Sequence, residues 1–109
     1  MYKVSLAIPI YNVSLFVERA LLSVLNQTYD NIEYLIVDDK GQDDSMDIVH
    51  RIIKDHPRGK DVRIIEHPYN IGLGATRNTA IDNAQGEYLF FMDSDDEIIP
   101  TCIEILVHK

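Results

Sequence analysis

The sequence contains a single cysteine, and it has no long apolar run. Cys102 alone forms no internal disulfide and no multi-cysteine zinc site, and a lone thiol fits a reducing compartment. No apolar stretch approaches the roughly 20 residues that a membrane span needs, and residues 1–6 do not resemble the start of a secretory signal. These absences predict a soluble, cytoplasmic chain.

Basic residues are also scarce. The chain has 10 Lys and Arg against 18 Asp and Glu, which gives a formal net charge of −8 at pH 7. This excess of negative charge argues against a nucleic-acid partner. Phosphate can still bind where carboxylates hold a divalent cation, because the cation supplies the missing positive charge. The histidines lack the paired spacing of a helical zinc site, so solvated or structural roles are expected for His50, His56, His67 and His108.

The length and the pattern of apolar residues favour one domain with alternating strands and helices. The chain has 109 residues, of which 46% are hydrophobic, enough for one buried core. No internal repeat or linker divides it. Apolar runs at residues 4–10, 32–37, 62–65 and 88–92 are typical of buried parallel strands.

Helical patterns lie between these strands. In residues 16–25 apolar side chains recur at helical spacing, which predicts the first helix. A second helix is expected to begin with Asp44 or Ser45 as its cap and to end before Pro57.

The last two helices are marked mainly by their ends. The third is expected to open near residues 72–75 and to run to residue 84, with Gly86 as its left-handed terminator. Pro100 suits the first turn of a fourth helix. The sequence stops soon afterwards at Lys109, where a repeating strand–helix pattern predicts another strand. We therefore expect a truncated part of a larger domain.

This order of elements predicts an α/β fold, a Rossmann-like open parallel sheet with strand order 3-2-1-4 and helices on both faces. Ligands of such sheets lie outside the carboxyl ends of the strands. Polar residues follow each predicted strand in turn: Tyr11 and Asn12, Asp38 and Asp39, Asn70, and Asp93 to Asp96. The acidic residues after the second strand, Asp38 and Asp39, would lie two strand spacings, roughly 10 Å, from those after the fourth strand, Asp93 to Asp96. This distance suits a nucleotide.

The Asp93-Ser94-Asp95 triplet is the sharpest candidate site. Alternate carboxylates on a tight turn can place one oxygen on Mg²⁺ or Mn²⁺ and another on a ribose hydroxyl. The alternative is an acidic turn that caps the last helix. A calcium-binding EF-hand is excluded because Ile98 replaces the required glycine and a strand precedes the turn.

Each of the other candidate site residues has two possible interpretations. Asp38 or Asp39 can accept a hydrogen bond from a nucleobase, or one can cap a loop while the other is solvated. Tyr11 can stack on a base or pack beneath its loop. Arg77 can reach a ligand or form a surface ion pair. The glycines at Gly72 and Gly74 favour close packing at a helix start over a phosphate loop.

Taken in order, these segments resemble the donor-binding half of family 2 glycosyltransferases, which have the GT-A fold. The similarity covers essentially all 109 residues. It rests on seven segments of the sequence: residues 8–12, 23–29, 37–39, 70–73, 75–78, 86–88, and 93–96 with Pro100.

The resemblance implies a donor site and a cofactor. The nucleotide-binding residues that it implies are Pro9, Tyr11, Asp38, Asp39, Arg77, Asp93 and Ser94. Asp95, together with Asp93, would hold Mg²⁺ or Mn²⁺ at the donor diphosphate. One departure concerns Lys40, which stands where the family usually has glycine and can contact phosphate or point to water.

The resemblance also implies a reaction, which is metal-dependent transfer of a sugar with inversion from a nucleotide-diphosphate sugar to an acceptor hydroxyl. UDP-sugars are the favoured donors, and a glycan or a lipid-linked molecule is the expected acceptor. Residues 1–109 would be the nucleotide-sugar-binding part, with the acceptor-binding part absent and the general base downstream of Lys109. In the full-length protein, a peripheral position at the inner face of a membrane is compatible with this reaction.

Two other functional classes fit the sequence less well. A receiver-like magnesium-binding signalling module needs its acidic pair after the first strand, where this chain has Tyr11 and Asn12. A nucleotidyltransferase would normally show a glycine-rich basic loop at the same place, and none is visible in the sequence.

Overall fold

The computed structural model describes residues 2–108, which form four strands and four α-helices. In chain order the elements are β1 (Val4–Ile10), α1 (Val17–Leu25), β2 (Ile32–Asp38), α2 (Ser45–Asp55), β3 (Val62–Glu66), α3 (Leu73–Asn83), β4 (Tyr88–Phe91) and α4 (Cys102–Val107). A short 3₁₀ turn at Gly59–Asp61 leads into β3. The predicted alternation of strands and helices is thus confirmed.

All the strand pairs are parallel, and the strand order is β3-β2-β1-β4. This confirms the order 3-2-1-4 predicted from the sequence. Every residue of β1 and β2 is buried, whereas the outer strands β3 and β4 are only partly covered. Strands β2 and β3 lie on one side of β1, and β4 lies on the other. The carboxyl ends of β1, β2 and β4 therefore meet at the reversal in strand order, where such sheets form ligand clefts.

Helices cover both faces of the sheet, as predicted. Alternate residues of β1, such as Leu6 and Ile8, belong to a large core with α1, α2 and α4. On the opposite face Ala7 and Leu35 pack against Ala80 of α3. The alternation follows from the period of two in a strand, and the small side chain of Ala7 lets α3 lie close to the sheet.

Gly86 does not end α3, so that prediction is wrong. α3 ends at Asn83 and is followed by Ala84 in an extended conformation, and Gly72 is the only glycine among residues 2–108 with a positive φ. Gly86 instead runs beside the start of β1. A Cβ there would lie 2.6 Å from the carbonyl oxygen of Lys3 and 2.8 Å from the amide nitrogen of Ser5. Glycine is required by this close approach of two backbones.

Two other helix starts differ from the sequence prediction in detail. α4 begins at Cys102, so Pro100 lies just before the helix rather than in its first turn. Asp44 occupies the N-cap position of α2, but its side chain makes no capping bond. The neighbouring Asp43 accepts hydrogen bonds from the amide and hydroxyl of Ser45, at 3.0 and 2.6 Å.

Within residues 2–108, none of the helices combines the length and apolar character needed to cross a membrane.

Candidate functional site

A cleft of about 480 Å³ lies at the carboxyl edge of the sheet. Its walls come from the ends of β1, β2 and β4 and from the start of α3. The residues that line it are Pro9, Tyr11, Val13, Asp39, Asn70, Gly72, Leu73, Thr76, Asp93, Ser94 and Asp95. The volume lies within the range typical of small-molecule sites, roughly 300–1,000 Å³.

Six of the eight site residues predicted from the sequence meet in this cleft: Pro9, Tyr11, Asp39, Asp93, Ser94 and Asp95. Asp38 and Arg77 do not line it. Asp38 belongs to a neighbouring pocket of about 160 Å³, where its carboxylate accepts a hydrogen bond from the Lys40 amide at 2.9 Å. The guanidinium of Arg77 lies 5.2 Å from the centre of the Phe91 ring. The roles of Asp38 and Arg77 in binding stay predictions.

Asp39 is the most heavily bonded side chain of the cleft. Its Oδ1 accepts hydrogen bonds from the Ile71 amide and from Nδ1 of His67, both at 2.9 Å. Its Oδ2 accepts from the side-chain amide of Asn70 at 2.7 Å and from the Gly72 amide at 3.0 Å. A carboxylate offers about four lone-pair positions, so protein donors already occupy the acceptor capacity of Asp39.

These bonds also set the charge of Asp39. Burial acts to raise its pKa, since only 2% of the residue is exposed, but hydrogen bonds from Ile71, His67 and Gly72 outweigh burial and hold the pKa below its usual value. Asp39 is therefore ionised at neutral pH. The nearby N-terminus of α3 favours the same charge state, because its free N–H groups carry partial positive charge.

The loop before α3 owes its shape to Gly72. This residue has φ 95° and ψ 169°, a region that only glycine populates readily. The bend turns the successive amides of Ile71 and Gly72 toward Asp39, while the Gly72 carbonyl accepts a hydrogen bond from Thr76 at 3.1 Å. Gly72 therefore opens α3, as the sequence predicts.

An acidic turn follows β4 on the other side of the cleft. Asp93, Asp95 and Asp96 are exposed, and each offers a carboxylate oxygen within 4.8 Å of the others. Hard oxygen ligands at this spacing fit one Mg²⁺ or Mn²⁺ ion, which needs only one or two carboxylates from the protein. Asp96 was not among the ligands predicted from the sequence.

The family model described as glycosyl transferase family 2 matches residues 5–109. The chain belongs to this family. The match confirms the resemblance seen in the sequence motifs.

Individual glycosyltransferases are also similar to this chain in sequence. An Escherichia coli protein named UDP-Glc:alpha-D-GlcNAc-diphosphoundecaprenol beta-1,3-glucosyltransferase WfaP is 39% identical over 110 aligned positions, which cover 99% of this chain. The chain spans 41% of that protein's length and at most 37% of three further curated relatives. It therefore corresponds to part of each of them.

Solved structures of glycosyltransferases share the fold. Staphylococcus aureus TarS 1-349 in complex with UDP-GlcNAc superimposes with a TM-score of 0.87 and 28% identity, covering 97% of this chain and 30% of TarS. The mannosyltransferase PcManGT from Pyrobaculum calidifontis, in complex with GDP-Man and Mn2+, gives a TM-score of 0.81 and 26% identity over 88% of this chain and 28% of that protein. These neighbours confirm the predicted GT-A architecture.

The side chain of Lys40 lies outside the cleft. Its ammonium group lies 3.1 Å from the Glu66 carboxylate, and the side chains are 39% and 62% exposed. The backbone at Lys40 has φ 56°, a conformation for which glycine is better suited. The departure from the usual family glycine therefore places a strained residue in the loop after β2.

Sequence reasoning missed two residues that shape the site. His67 was assigned a solvated or structural role, although it directly follows β3 just as Asp39 follows β2. The available signal was the position of His67 just after the third apolar run. In the structure, Asp38 pairs with Glu66, so the next residues, Asp39 and His67, lie side by side. Gln27 was noticed only as part of a family segment. Its buried amide bridges the Ile99 carbonyl at 2.8 Å and the Ile103 amide at 2.9 Å, and so fixes the chain that follows the acidic turn.

Proposed function

We propose that the protein containing this chain transfers a sugar from a nucleotide-diphosphate sugar to an acceptor hydroxyl, and that the cleft binds the donor. The observation that carries the proposal is the position of the acidic turn opposite the Asp39 loop in one cleft. One wall can hold a cation, and the other is an ordered loop of polar backbone and side-chain groups. A nucleoside diphosphate needs both kinds of partner.

The proposed donor site divides between the two walls. Pro9 and Tyr11 form the base side together with the loop that Asp39 holds, and Asp93 and Ser94 face the ribose. The solved neighbours support this assignment because one contains UDP-GlcNAc and the other GDP-Man. UDP-sugars are favoured, since a relative of 39% identity is named for UDP-Glc.

The electrostatics of the proposed complex support the use of a divalent cation. A diphosphate would enter a cleft that already contains the ionised Asp39 and the exposed carboxylates of the acidic turn. Asp95 and Asp93 are proposed to hold Mg²⁺ or Mn²⁺. When bound, the ion supplies the positive charge that neutralises the diphosphate as a leaving group. The Mn²⁺ complex of the mannosyltransferase neighbour supports this choice.

The remaining chemistry is proposed to depend on residues outside this chain. In the inverting reaction, the acceptor hydroxyl attacks the anomeric carbon on the face opposite the diphosphate, and a carboxylate removes its proton. That carboxylate is expected downstream of Lys109, with the acceptor-binding part. The named E. coli relative acts on a diphosphoundecaprenol-linked sugar. A glycan or lipid-linked acceptor, met by a cytoplasmic enzyme at the inner face of a membrane, is proposed by analogy.

Calorimetric titration tests the donor site. UDP, GDP and dTDP are each titrated with and without Mn²⁺ into the native chain, Asp95→Ala and the control Asp47→Ala, which removes an exposed carboxylate from α2. We expect metal-dependent binding, tightest for UDP. Asp95→Ala should weaken it at least about tenfold, or about 1.4 kcal/mol, while Asp47→Ala leaves it unchanged. Equal affinity in EDTA would contradict the cation bridge.

A further inference from the structure

His67 lies behind the cleft rather than in it. It is 5% exposed, and its amide donates to the Asp38 carbonyl at 2.9 Å, which extends the pairing of β2 and β3 by one residue. Nδ1 lies 2.9 Å from Oδ1 of Asp39, and Nε2 lies 2.8 Å from the hydroxyl of Thr79 on α3. Because an ionised carboxylate only accepts hydrogen bonds, Nδ1 must carry a proton, and it donates a hydrogen bond to Asp39.

Asp39 in turn holds the loop that forms one wall of the cleft. The other three donors to its carboxylate are Asn70, Ile71 and Gly72, and the first and last of these line the cleft. Packing contributes little to this loop. Tyr69 is 66% exposed and Ile71 42% exposed, so their side chains bury little apolar surface. The loop therefore depends on its hydrogen bonds to Asp39 for its conformation.

We propose that His67 is a positioning residue for donor binding: it orients the Asp39 carboxylate, and Asp39 holds the Asn70–Gly72 loop in its binding conformation. The binding half of this inference rests on the proposed donor site. His67 lies outside the cleft lining, so it acts through Asp39. Without His67, only the Ile71 amide would remain on Oδ1, and the carboxylate could rotate or take up water.

The effect on affinity follows from the population of the ordered loop. If the loss of His67 lowers the fraction of molecules with the competent loop to about a tenth, the apparent Kd for the nucleotide rises about tenfold. The same opening raises the fraction of molecules in which the Ile71 and Gly72 amides are exposed to solvent from about a tenth or less to about nine tenths, so their hydrogen exchange quickens by about tenfold or more. Exchange at these two amides is measured without any nucleotide.

Three variants and a control test the inference. His67→Ala removes the donor to Asp39. His67→Asn keeps an amide donor near the position of Nδ1, and Thr79→Val removes the partner of Nε2 together with that hydroxyl's bond to the Ala75 carbonyl. His50→Ala removes an exposed histidine from α2. Each is examined by NMR hydrogen exchange at Ile71 and Gly72 and by titration with UDP in the presence of Mn²⁺.

We expect His67→Ala to speed exchange at both amides and to weaken UDP binding by about tenfold. His67→Asn should restore both to within about threefold of native, and Thr79→Val and His50→Ala should change neither by more than that. If His67→Ala fails to fold, His67→Asn still decides, because a loss of about tenfold in either readout despite the retained donor overturns the positioning role. No difference between native and His67→Ala overturns it as well. Failure of the native chain to bind UDP refutes the donor site instead. Exchange at the Ile71 and Gly72 amides then still tests whether His67 stabilises the loop.

Discussion

The backbone amide of Gly86 lies 2.9 Å from the hydroxyl oxygen of Ser5 and donates a hydrogen bond to it. The same hydroxyl donates to the carboxylate of Glu33 at 2.5 Å, and that carboxylate also accepts the amide of Gln85 at 2.6 Å. One buried cluster therefore joins β1, β2 and the turn before β4. This cluster fixes the position of β4, the edge strand that precedes the acidic turn.

Gly86→Ala is expected to destabilise the chain by about 1–3 kcal/mol, because the new methyl group would overlap backbone atoms of β1 that cannot move aside. Gly74→Ala is the matched control, since a Cβ at Gly74 meets nothing within 4 Å. This helical substitution should be neutral or stabilise the fold by up to about 1 kcal/mol. Urea unfolding of both variants measures the difference, and equal effects would contradict the close approach.

Gln27→Leu should lower the free energy of unfolding by about 2 kcal/mol or more, because the Ile103 amide loses its partner and the Ile99 carbonyl retains only the bond from the Cys102 amide. Gln27 is only 2% exposed, so water cannot readily replace the amide. Gln42→Leu provides an exposed control that should change stability by less than about 0.5 kcal/mol. Chemical denaturation followed by circular dichroism compares the two. A cost no larger than that of the control would show that the bridge is dispensable.

Asp39 should make stability depend on pH in the acidic range. Its pKa is lower in the folded chain than the ordinary value of about 3.9, so folding favours the ionised form. The stabilisation is complete above that ordinary value and is lost as the pH falls through the lower folded pKa. Asp39→Asn should therefore be much less stable than native at neutral pH, and the gap should narrow below about pH 4. Urea unfolding across this range measures the gap, and a constant gap would argue against an ionised Asp39.

Lys40→Gly is expected not to destabilise the chain, although it removes an ion pair. The pair with Glu66 is exposed and contributes little, whereas a lysine at φ 56° costs about 1 kcal/mol that glycine avoids. Lys54→Gly, in the last turn of α2, is the control and should lose about 0.5–1 kcal/mol. Thermal unfolding ranks the two variants. If Lys40→Gly loses as much stability as the control, the ion pair with Glu66 stabilises the fold by more than the positive φ of Lys40 costs.

The sequence by itself determined the parallel sheet, its strand order and the edge at which the polar residues gather. Those features follow from local periodicity and from the rules of strand connection, which is why Tyr11 and the acidic triplet could be placed at that edge without coordinates, whereas Pro9 came from the family resemblance. Only the tertiary structure decided which of the adjacent residues Asp38 and Asp39 faces the cleft. The bonds of Asp39 reach 28 to 33 residues along the chain.

Gln27 and Gly86 show the same limit. The Gln27 amide meets partners 72 and 76 residues away, and the Gly86 amide meets Ser5 across 81 residues. A hydrogen-bond partner or a forbidden Cβ position depends on where distant backbone is placed to within a few tenths of an ångström. Local sequence patterns encode the type of element but not that placement, which packing of the whole fold decides.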